Sequence, residues 1–452
     1  MTASVVQRKE RLYVGGEWID ADDEIAVHDL AEGGTFARVA AADAEQADAA
    51  LAAAHEAKGP MFETTPVERA AWLEEIAEGL EAREEPLAGV IVREAGKPIG
   101  SARGEVASAA ERFRRAADEA RTLARDHGEY REGSTASHEG WRAIVKPEPI
   151  GTVLCIAPYN YPLSTTALQV APALAAGNSV VLKPASATPI SAAIMAEVIE
   201  AGAGKHVARQ SGMVNLHMEL GGNAPAIVFP DADLSAVAGA CTKGSIKYAG
   251  QRCSAVSRIL AHESVHDEVV ERMDAEMEGW GAGDLFEEET AFGPLISVDQ
   301  AQWVQELVDD AVERGADLVR GGSRRAPEGV PDELADQFFE PTLLANVSHD
   351  ARIVHEEQFG PVAVVTTFED EEGALSVAND TDLALDASVF TSDYDRALRV
   401  AERVDAGAVR INGAPSHGIG DVPFGGNKDS GIGREGIGAS IEAMLRTKSI
   451  VL

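Results

Sequence analysis

Apolar residues recur along this chain with two different periods, and the changes of period mark out its regions. Short alternating runs come first: Arg11-Leu-Tyr-Val14, Gly16-Glu-Trp-Ile-Asp20 and Thr35-Phe-Ala-Arg-Val39 lie between Gly and Asp turns and predict short strands. From Asp43 to about Ala124 the spacing of Ala, Leu and Glu is helical, with breaks expected at Gly59-Pro60, Thr65-Pro66 and Lys97-Pro98. Residues 127–149, with Trp141 to Lys146 at their centre, alternate as a strand pair able to leave the main body.

After Pro149 the pattern changes again. Gly151 to Ala157 is a short apolar run, Thr165 to Ala175 is helical, Ser179 to Lys183 is a second apolar run, and Pro189 to Ala201 is helical. Strand, helix, strand, helix implies a parallel sheet. Such sheets bind ligands at the carboxyl ends of their strands, which places Pro158-Tyr-Asn-Tyr-Pro162 and Lys183-Pro-Ala-Ser186 at the mouth. Only Gly202-Ala203-Gly204 then separates this helix from the next helical stretch, Lys205 to Gly212, where a doubly wound sheet wants a strand. Further on, Ala226 to Phe229 and Arg258 to Ala261 read as strands around a helix from residue 231 to 249, with another helix starting near Glu263. Apolar runs at Val362 to Thr366 and Ala387 to Phe390 complete a second α/β domain.

Two glycine-marked turns carry the candidate chemistry. One reads Glu219-Leu-Gly-Gly222; the other, just past a helix, reads Gly250-Gln-Arg-Cys253-Ser254. A thiolate attacks carbonyl carbon far better than a hydroxyl does, and a nearby carboxylate can deprotonate the water that hydrolyses the resulting acyl intermediate. A free Cys is more often a small buried hydrophobe, and Cys155 and Cys241 keep that reading. Cys253 does not, because Arg252 beside it is expected to favour the thiolate. One Gly-x-Gly-x-x-Gly occurs, at Gly431 to Gly436, but no strand precedes it and the chain after it is too short for a βαβ unit. It reads as a surface turn.

Composition narrows the picture. A chain of 452 residues accommodates two or three domains. Its formal charge of −36, from 75 acidic against 39 basic residues, argues against a nucleic-acid partner. The acidic residues are spread throughout and only ten of the basic ones are lysine, which suits a surface solvated at high salt and predicts a halophile's cytoplasm. No secretory leader is evident, and no run approaches the roughly 18 apolar residues of a membrane span. Three cysteines without paired spacing, and no HExxH, give no reason to expect disulfides or metal.

In combination, Pro158 to Pro162, Lys183-Pro184, Glu219 to Gly222, Gly250 to Cys253, Glu357-Gln-Phe-Gly-Pro361 and Pro423-Phe-Gly-Gly-Asn-Lys-Asp-Ser-Gly431 resemble the aldehyde dehydrogenases, from about residue 11 to the C-terminus. The resemblance implies an α/β protein with a Rossmann-like cofactor domain (1–126 and 150–221), a catalytic domain (222–421) and a small β bridging hairpin (127–149 and 437–452). It implies Cys253 as nucleophile, Asn160 as oxyanion donor and Glu219 as base, with Lys183, Ser186, Glu357, Phe359, Pro158 and Gly221 on the cofactor side. Ser186 stands where many relatives place a ribose-binding Glu that would repel a 2′-phosphate, so NADP is expected to be accepted as well as NAD.

The segments around Asn160-Tyr161 and Gln251 to Val256, and the tail from Ser440, look similar to the non-phosphorylating glyceraldehyde-3-phosphate dehydrogenases. Tyr161 and Arg252 would then meet a substrate phosphate, but two further basic positions expected for that phosphate are Ser108 and His417 here, so lactaldehyde or a semialdehyde fits as well. A homodimer or homotetramer is expected. Relative to the family, roughly 40 residues are missing near residue 203, enough for two strands and a helix of the cofactor sheet. That leaves two rivals to hydrolytic aldehyde oxidation: a shortened, impaired oligomeric remnant, and a coenzyme-A-acylating dehydrogenase.

Overall fold

The computed structural model describes residues 8–125, 128–203, 218–415 and 422–452. Leu12–Val14 and Glu17–Ile19 pair about Gly15-Gly16, both at positive φ, which a side chain would strain. Arg8–Glu10, Thr35–Ala41 and Asp23–His28 form a three-stranded sheet in that spatial order. Helices α1 (Ala44–Glu63) and α2 (Pro66–Glu81) each begin with a capping box, Asp43 with Gln46 and Thr65 with Glu68. The break expected at Gly59-Pro60 does not occur. Pro60 removes only its own N–H, and burial of Ala54, Ala57 and Met61 holds the last turn of α1 in place. The breaks at Thr65-Pro66 and Lys97-Pro98 do coincide with helix boundaries, ahead of α2 and, after α3 (Glu84–Ala95), ahead of α4 (Ile99–Leu123).

These helices pack with α5 (Ser164–Ala176) and α6 (Ile190–Ala203) around Leu73, Ile76, Leu80, Leu87, Ile91 and Phe113, all fully buried. Two buried carboxylates tie the outer helices to the inner ones. Glu94 accepts from the Ile190 and Ser191 N–H groups (2.7 and 3.0 Å) at the start of α6, and Glu105 accepts from Leu163 and Ser164 (3.0 and 3.1 Å) at the start of α5. Helix N-termini carry partial positive charge, so each carboxylate sits where an anion is favoured.

Against these helices Thr152–Ile156 pairs in parallel with Ser179–Lys183, and among the described residues that sheet has two strands. Parallel strands normally have both faces covered. Here Leu154 and Ile156 are 48 % and 57 % exposed, so one face of the pair is open. Helix α6 runs on to Ala203, through the point where the sequence pattern wants a strand, and the helix expected at Lys205 to Gly212 lies outside the described residues.

The second sheet has seven strands, in the order Asp317–Arg320, Thr342–Ala345, Val362–Phe368, Val256–His262, Ala224–Val228, Asp386–Phe390 and Ala408–Ile411. All neighbours run parallel except the first pair. The inner strands are buried almost without interruption, which explains why they read as plain apolar runs, while Asp317–Arg320 at the edge is largely exposed. Helix α7 (Leu234–Ile246) leads from the fifth strand of this order towards the fourth and ends three residues short of the helix expected from the sequence. Arg142–Pro149 forms the centre of a separate antiparallel sheet, flanked by Glu129–Glu132 and Leu445–Val451. Residues Ile437–Ala443 form a helix that sets Ile437 and Ile441 into the core beside α5.

The glycine motif at 431–436 is more than a surface turn. Gly431–Ile432 pairs antiparallel with Met218–Glu219, and at Gly431 a Cβ would lie 2.2 Å from the Met218 carbonyl oxygen. The glycine is there because two backbones touch.

Arg258 is the largest fully buried side chain, and its guanidinium donates to the carbonyls of Asn223 (3.1 and 3.0 Å), Val377 (2.9 Å) and Ala378 (2.9 Å). Replacing it with Met leaves those three carbonyls short of donors, so Arg258→Met is expected to lower stability by about 3 kcal/mol, read as a lower urea midpoint at unchanged slope.

Candidate active site

Three segments enter neighbouring parallel strands of the large sheet at their N-terminal ends. Glu219 to Asn223 leads into Ala224–Val228, Cys253 into Val256–His262, and Glu357 into Val362–Phe368. The register pairs Ala224 with Val256 and Arg258 with Val364, so the thiol and both carboxylates converge at one end of the sheet. Facing them is the segment after the first strand of the smaller sheet, which carries Asn160 and Tyr161 at the start of α5. The site is the seam between the two sheets.

The turn that carries Cys253 is strained and held. Tyr248, Ala249 and Gly250 all have left-handed backbones, with φ of 58°, 50° and 71°. For a non-glycine residue this costs on the order of 1 kcal/mol or more, and it persists only where the surroundings enforce it. Tyr248 is buried with its hydroxyl donating to the Ala95 carbonyl at 2.8 Å, and Gly250 lies so close to Gly360 that a Cβ would meet its carbonyl oxygen at 2.0 Å. Gln251, fully buried, accepts from the Ile296 N–H at 2.9 Å through Oε1 and takes the Asn160 side-chain amide on its backbone carbonyl at 3.2 Å. Gly222 closes the other side, since a Cβ there would lie 2.2 Å from the Cys253 carbonyl oxygen. The amide of Asn160 is thereby fixed beside the nucleophile's turn.

Asn160 is positioned in turn by a buried ion pair. Lys97 and Glu105 bond to each other at almost zero exposure, the ammonium sits 3.4 Å from the centre of the Tyr161 ring and 4.6 Å from that of Tyr248, and the second Glu105 oxygen caps α5. Burial pulls the Lys97 ammonium down to about 8 against the opposing pull of Glu105. Neither residue stood out in the sequence, where Lys97-Pro98 marked only a helix boundary.

Electrostatics at the thiol overturn one expectation. Arg252 does not activate Cys253: its Nη2 donates to the Gly244 carbonyl and its Nε is buried without a partner. The thiol instead bonds to the Glu219 carboxyl, and burial, then Glu219, Glu435 and Glu357, push its pKa well above the ordinary value. Burial likewise pushes Glu219 up to about 8, reinforced by Glu435, and Glu357 up to about 7. Glu435 is the functional candidate the sequence reading missed, inside the glycine motif it set aside. It is 8 % exposed and burial pushes it up to about 7, against the pull of Arg112. Cys155 and Cys241 are buried, with thiols pushed up to about 12 by burial, as inert core cysteines should be.

The cofactor-side residues divide into two groups. Glu357 accepts from the Gly222 N–H at 2.9 Å and fills the space above Gly221, where a Cβ would be 2.5 Å from Oε2; Phe359, at φ 46°, meets Tyr159 edge-on at 6.0 Å. A half-buried carboxylate with one N–H partner has lone pairs left for hydroxyls, so this end fits a nicotinamide ribose. Pro158, Lys183 and Ser186 are exposed beside the open face of the smaller sheet, and Lys183 bonds only the adjacent Pro184 carbonyl at 3.2 Å. Among the described residues nothing further builds a backbone cradle for a diphosphate, and no acidic or histidine cluster could hold a metal. No helix among them is long and apolar enough to cross a membrane.

The raised pKa of Glu219 makes two predictions. A carboxylate base near 8 requires steady-state turnover limited by hydrolysis to climb with pH and level off above about 8. Its folded value lies above its ordinary 4.5, so the folded chain keeps a proton the unfolded chain has lost, and this group's contribution to stability falls as pH rises from about 4.5 to about 8. Glu219→Gln, uncharged throughout, is therefore expected to gain in Tm relative to the parent between pH 5 and pH 9; a constant Tm difference would show that Glu219 is not held neutral.

With this geometry in place, comparison with known proteins is informative. The sequence profile of the aldehyde dehydrogenase family matches residues 18–203 and 200–450. The chain is 32 % identical to a 3-sulfolactaldehyde dehydrogenase of Priestia aryabhattai over 490 aligned positions covering all of both proteins. It is 34 % identical to an NADP-dependent glyceraldehyde-3-phosphate dehydrogenase of Streptococcus equinus, over 97 % of this chain and 98 % of that one. The crystal structure of NADP-dependent glyceraldehyde-3-phosphate dehydrogenase from Bacillus halodurans, complexed with NADP, superposes with a TM-score of 0.92 at 31 % identity and covers 99 % of each chain. Since 490 aligned positions exceed 452 residues by 38, at least that many positions of the Priestia protein have no counterpart here, and the family match breaks at residues 200–203.

Proposed function

This chain belongs to the aldehyde dehydrogenase family, and from that premise we propose that it oxidises a small, acid-bearing aldehyde to the carboxylic acid with NAD(P), through a thioester on Cys253. The observation that carries this reading is the hydrogen bond between the Cys253 thiol and the Glu219 carboxyl, a nucleophile and a base in contact inside a buried seam.

The side chains divide the work. Glu219, or a water beside it, takes the thiol proton as Sγ attacks the aldehyde carbon. The resulting alkoxide lies against the Asn160 amide, which the Gln251 carbonyl and the Glu105-capped start of α5 keep in place, and against the Cys253 backbone N–H. Glu357 and Phe359 would hold the nicotinamide end of NAD(P), which when bound would supply the hydride acceptor. Once the acyl group is on sulfur, Glu219, having passed the thiol proton to solvent, deprotonates the water that attacks it, releasing the acid and the thiolate, which regains a proton. A base in direct contact with the thiol favours this hydrolytic route over release of the acyl group to coenzyme A.

The relatives at 32 % and 34 % identity are named for aldehydes that bear a sulfonate and a phosphate, and this supports an acidic substrate here as well. Exposed Ser186, in place of an acidic residue, supports use of NADP. The 38 missing positions favour one second reading, a shortened chain that keeps its thiol chemistry but grips the cofactor weakly. The acidic surface further supports activity that rises with molar KCl, and the free edges of the Arg142–Pro149 sheet offer strands for self-association.

Steady-state assays with both cofactors test the reading. The parent is expected to reduce NADP at least as efficiently as NAD, and Cys253→Ala is expected to lose activity by on the order of 1,000-fold or more. Full turnover by Cys253→Ala would overturn the mechanism, and a strong preference for NAD would overturn the reading of Ser186.

A further inference from the structure

A cavity of 210 Å³ adjoins the seam, walled by Ser108, Arg112 and Arg115 of α4, Leu168 of α5, and Phe424 and Glu435 of the C-terminal segment. Its two arginines differ in state. Arg115 donates to Glu111 at 2.9 Å, so its charge is already matched at the surface. Arg112 is half-buried, gives one N–H to the Ser164 carbonyl and forms no ion pair among the described residues. Glu435 lines the cavity with Arg112, and Tyr161 and Glu435 each interact electrostatically with both Arg112 and the Cys253 thiol.

We propose that Arg112 is the specificity-determining residue of this site: its guanidinium takes the carboxylate at the far end of a short semialdehyde whose carbonyl lies on Cys253 Sγ, with Ser108 Oγ as a second donor. The inference rests on the aldehyde dehydrogenase reading and names the substrate class for it. A monoanion fits better than a phosphate dianion. The chamber has one guanidinium without an ion-pair partner among the described residues, since its other arginine, Arg115, is matched by Glu111, and Glu435 lines it as well. A second negative charge on the ligand would meet no unmatched cation and an added carboxylate. Arg112 also answers for Ser108. The subgroup that resembles this chain expects a basic residue at 108, and Arg112 lies one helical turn further along the same face of α4, as both residues line the cavity.

The test compares three aldehydes, succinic semialdehyde, glyceraldehyde 3-phosphate and butanal, on the parent enzyme, Arg112→Leu and Arg112→Lys, each with NADP. The parent is expected to prefer the semialdehyde to both others. In Arg112→Leu, kcat/KM for the semialdehyde should fall by about 100-fold while that for butanal stays within about 3-fold, which also shows that the variant is folded; Arg112→Lys should fall between. An equal loss on semialdehyde and butanal, an unchanged preference, or a parent that prefers the phosphorylated aldehyde would each overturn the proposal. If the parent oxidises no aldehyde, the dehydrogenase reading fails, and the anchor is tested separately by alkylation of Cys253 with iodoacetamide without cofactor. Slowing by succinate in the parent but not in Arg112→Leu supports the anchor; slowing in both or in neither overturns it.

Discussion

Parallel pairing of Ala224–Val228, Val256–His262 and Val362–Phe368 fixes the spacing of Glu219, Cys253 and Glu357, three candidate groups of this site. Each strand is entered through a tight segment, and the three segments carry Glu219, Cys253 and Glu357. A slip of one residue in either register would turn an apolar inner face towards the wrong side of a buried sheet, so the registers are enforced by the whole core of the domain. Arg258 reinforces one of them by bonding from the middle strand to the Asn223 carbonyl just ahead of its neighbour. Catalytic geometry here follows from strand pairing, and the glycines at 222, 250 and 431 occur where the pairing brings backbone against backbone.

Burial at this seam has an electrostatic consequence. Burial raises the pKa of Cys253, Glu219, Glu357 and Glu435 alike, and the charges of Glu435 and Glu357 add to the cost of ionising Cys253 and Glu219. The resting site therefore holds its protons. That makes the thiol a poor nucleophile until a base takes its proton, and it makes Glu219 available as a base only as pH approaches about 8. The counterweights are two cations of the helical cover, buried Lys97 beside the start of α5 next to Asn160 and half-buried Arg112 facing the cavity.

Much of this was legible in the sequence. The buried strands appeared as apolar runs, the turns at Gly222 and Gly250 as glycine punctuation, and Cys253 as a cysteine outside any core pattern. What was not legible depends on contacts between distant segments. Pro60 continues its helix because Met61 is anchored in a core the local sequence does not contain. Arg252 seemed poised to assist the thiol by adjacency, but adjacent side chains in a tight turn point apart, and its guanidinium bonds to Gly244. Glu435 hid in a motif read as a surface turn; its backbone bridges to Phe424, and its buried side chain lines the cavity with Arg112. Lys97, Glu105 and Arg112 carry no motif, only helical positions that face inward. The gap near residue 203 was visible as a missing strand, and the break in the family match at residues 200–203 agrees with it.

The central claim is that an acyl group passes through Cys253 and leaves by a water that Glu219 activates. Its most direct measurement is the mass of the Glu219→Gln enzyme, quenched in acid after mixing with NADP and succinic semialdehyde, followed by peptide mapping. The account predicts one acyl group per chain, located on the peptide that contains Cys253, and no such adduct in Cys253→Ala. Formation of NADPH with no mass added to that peptide would contradict it.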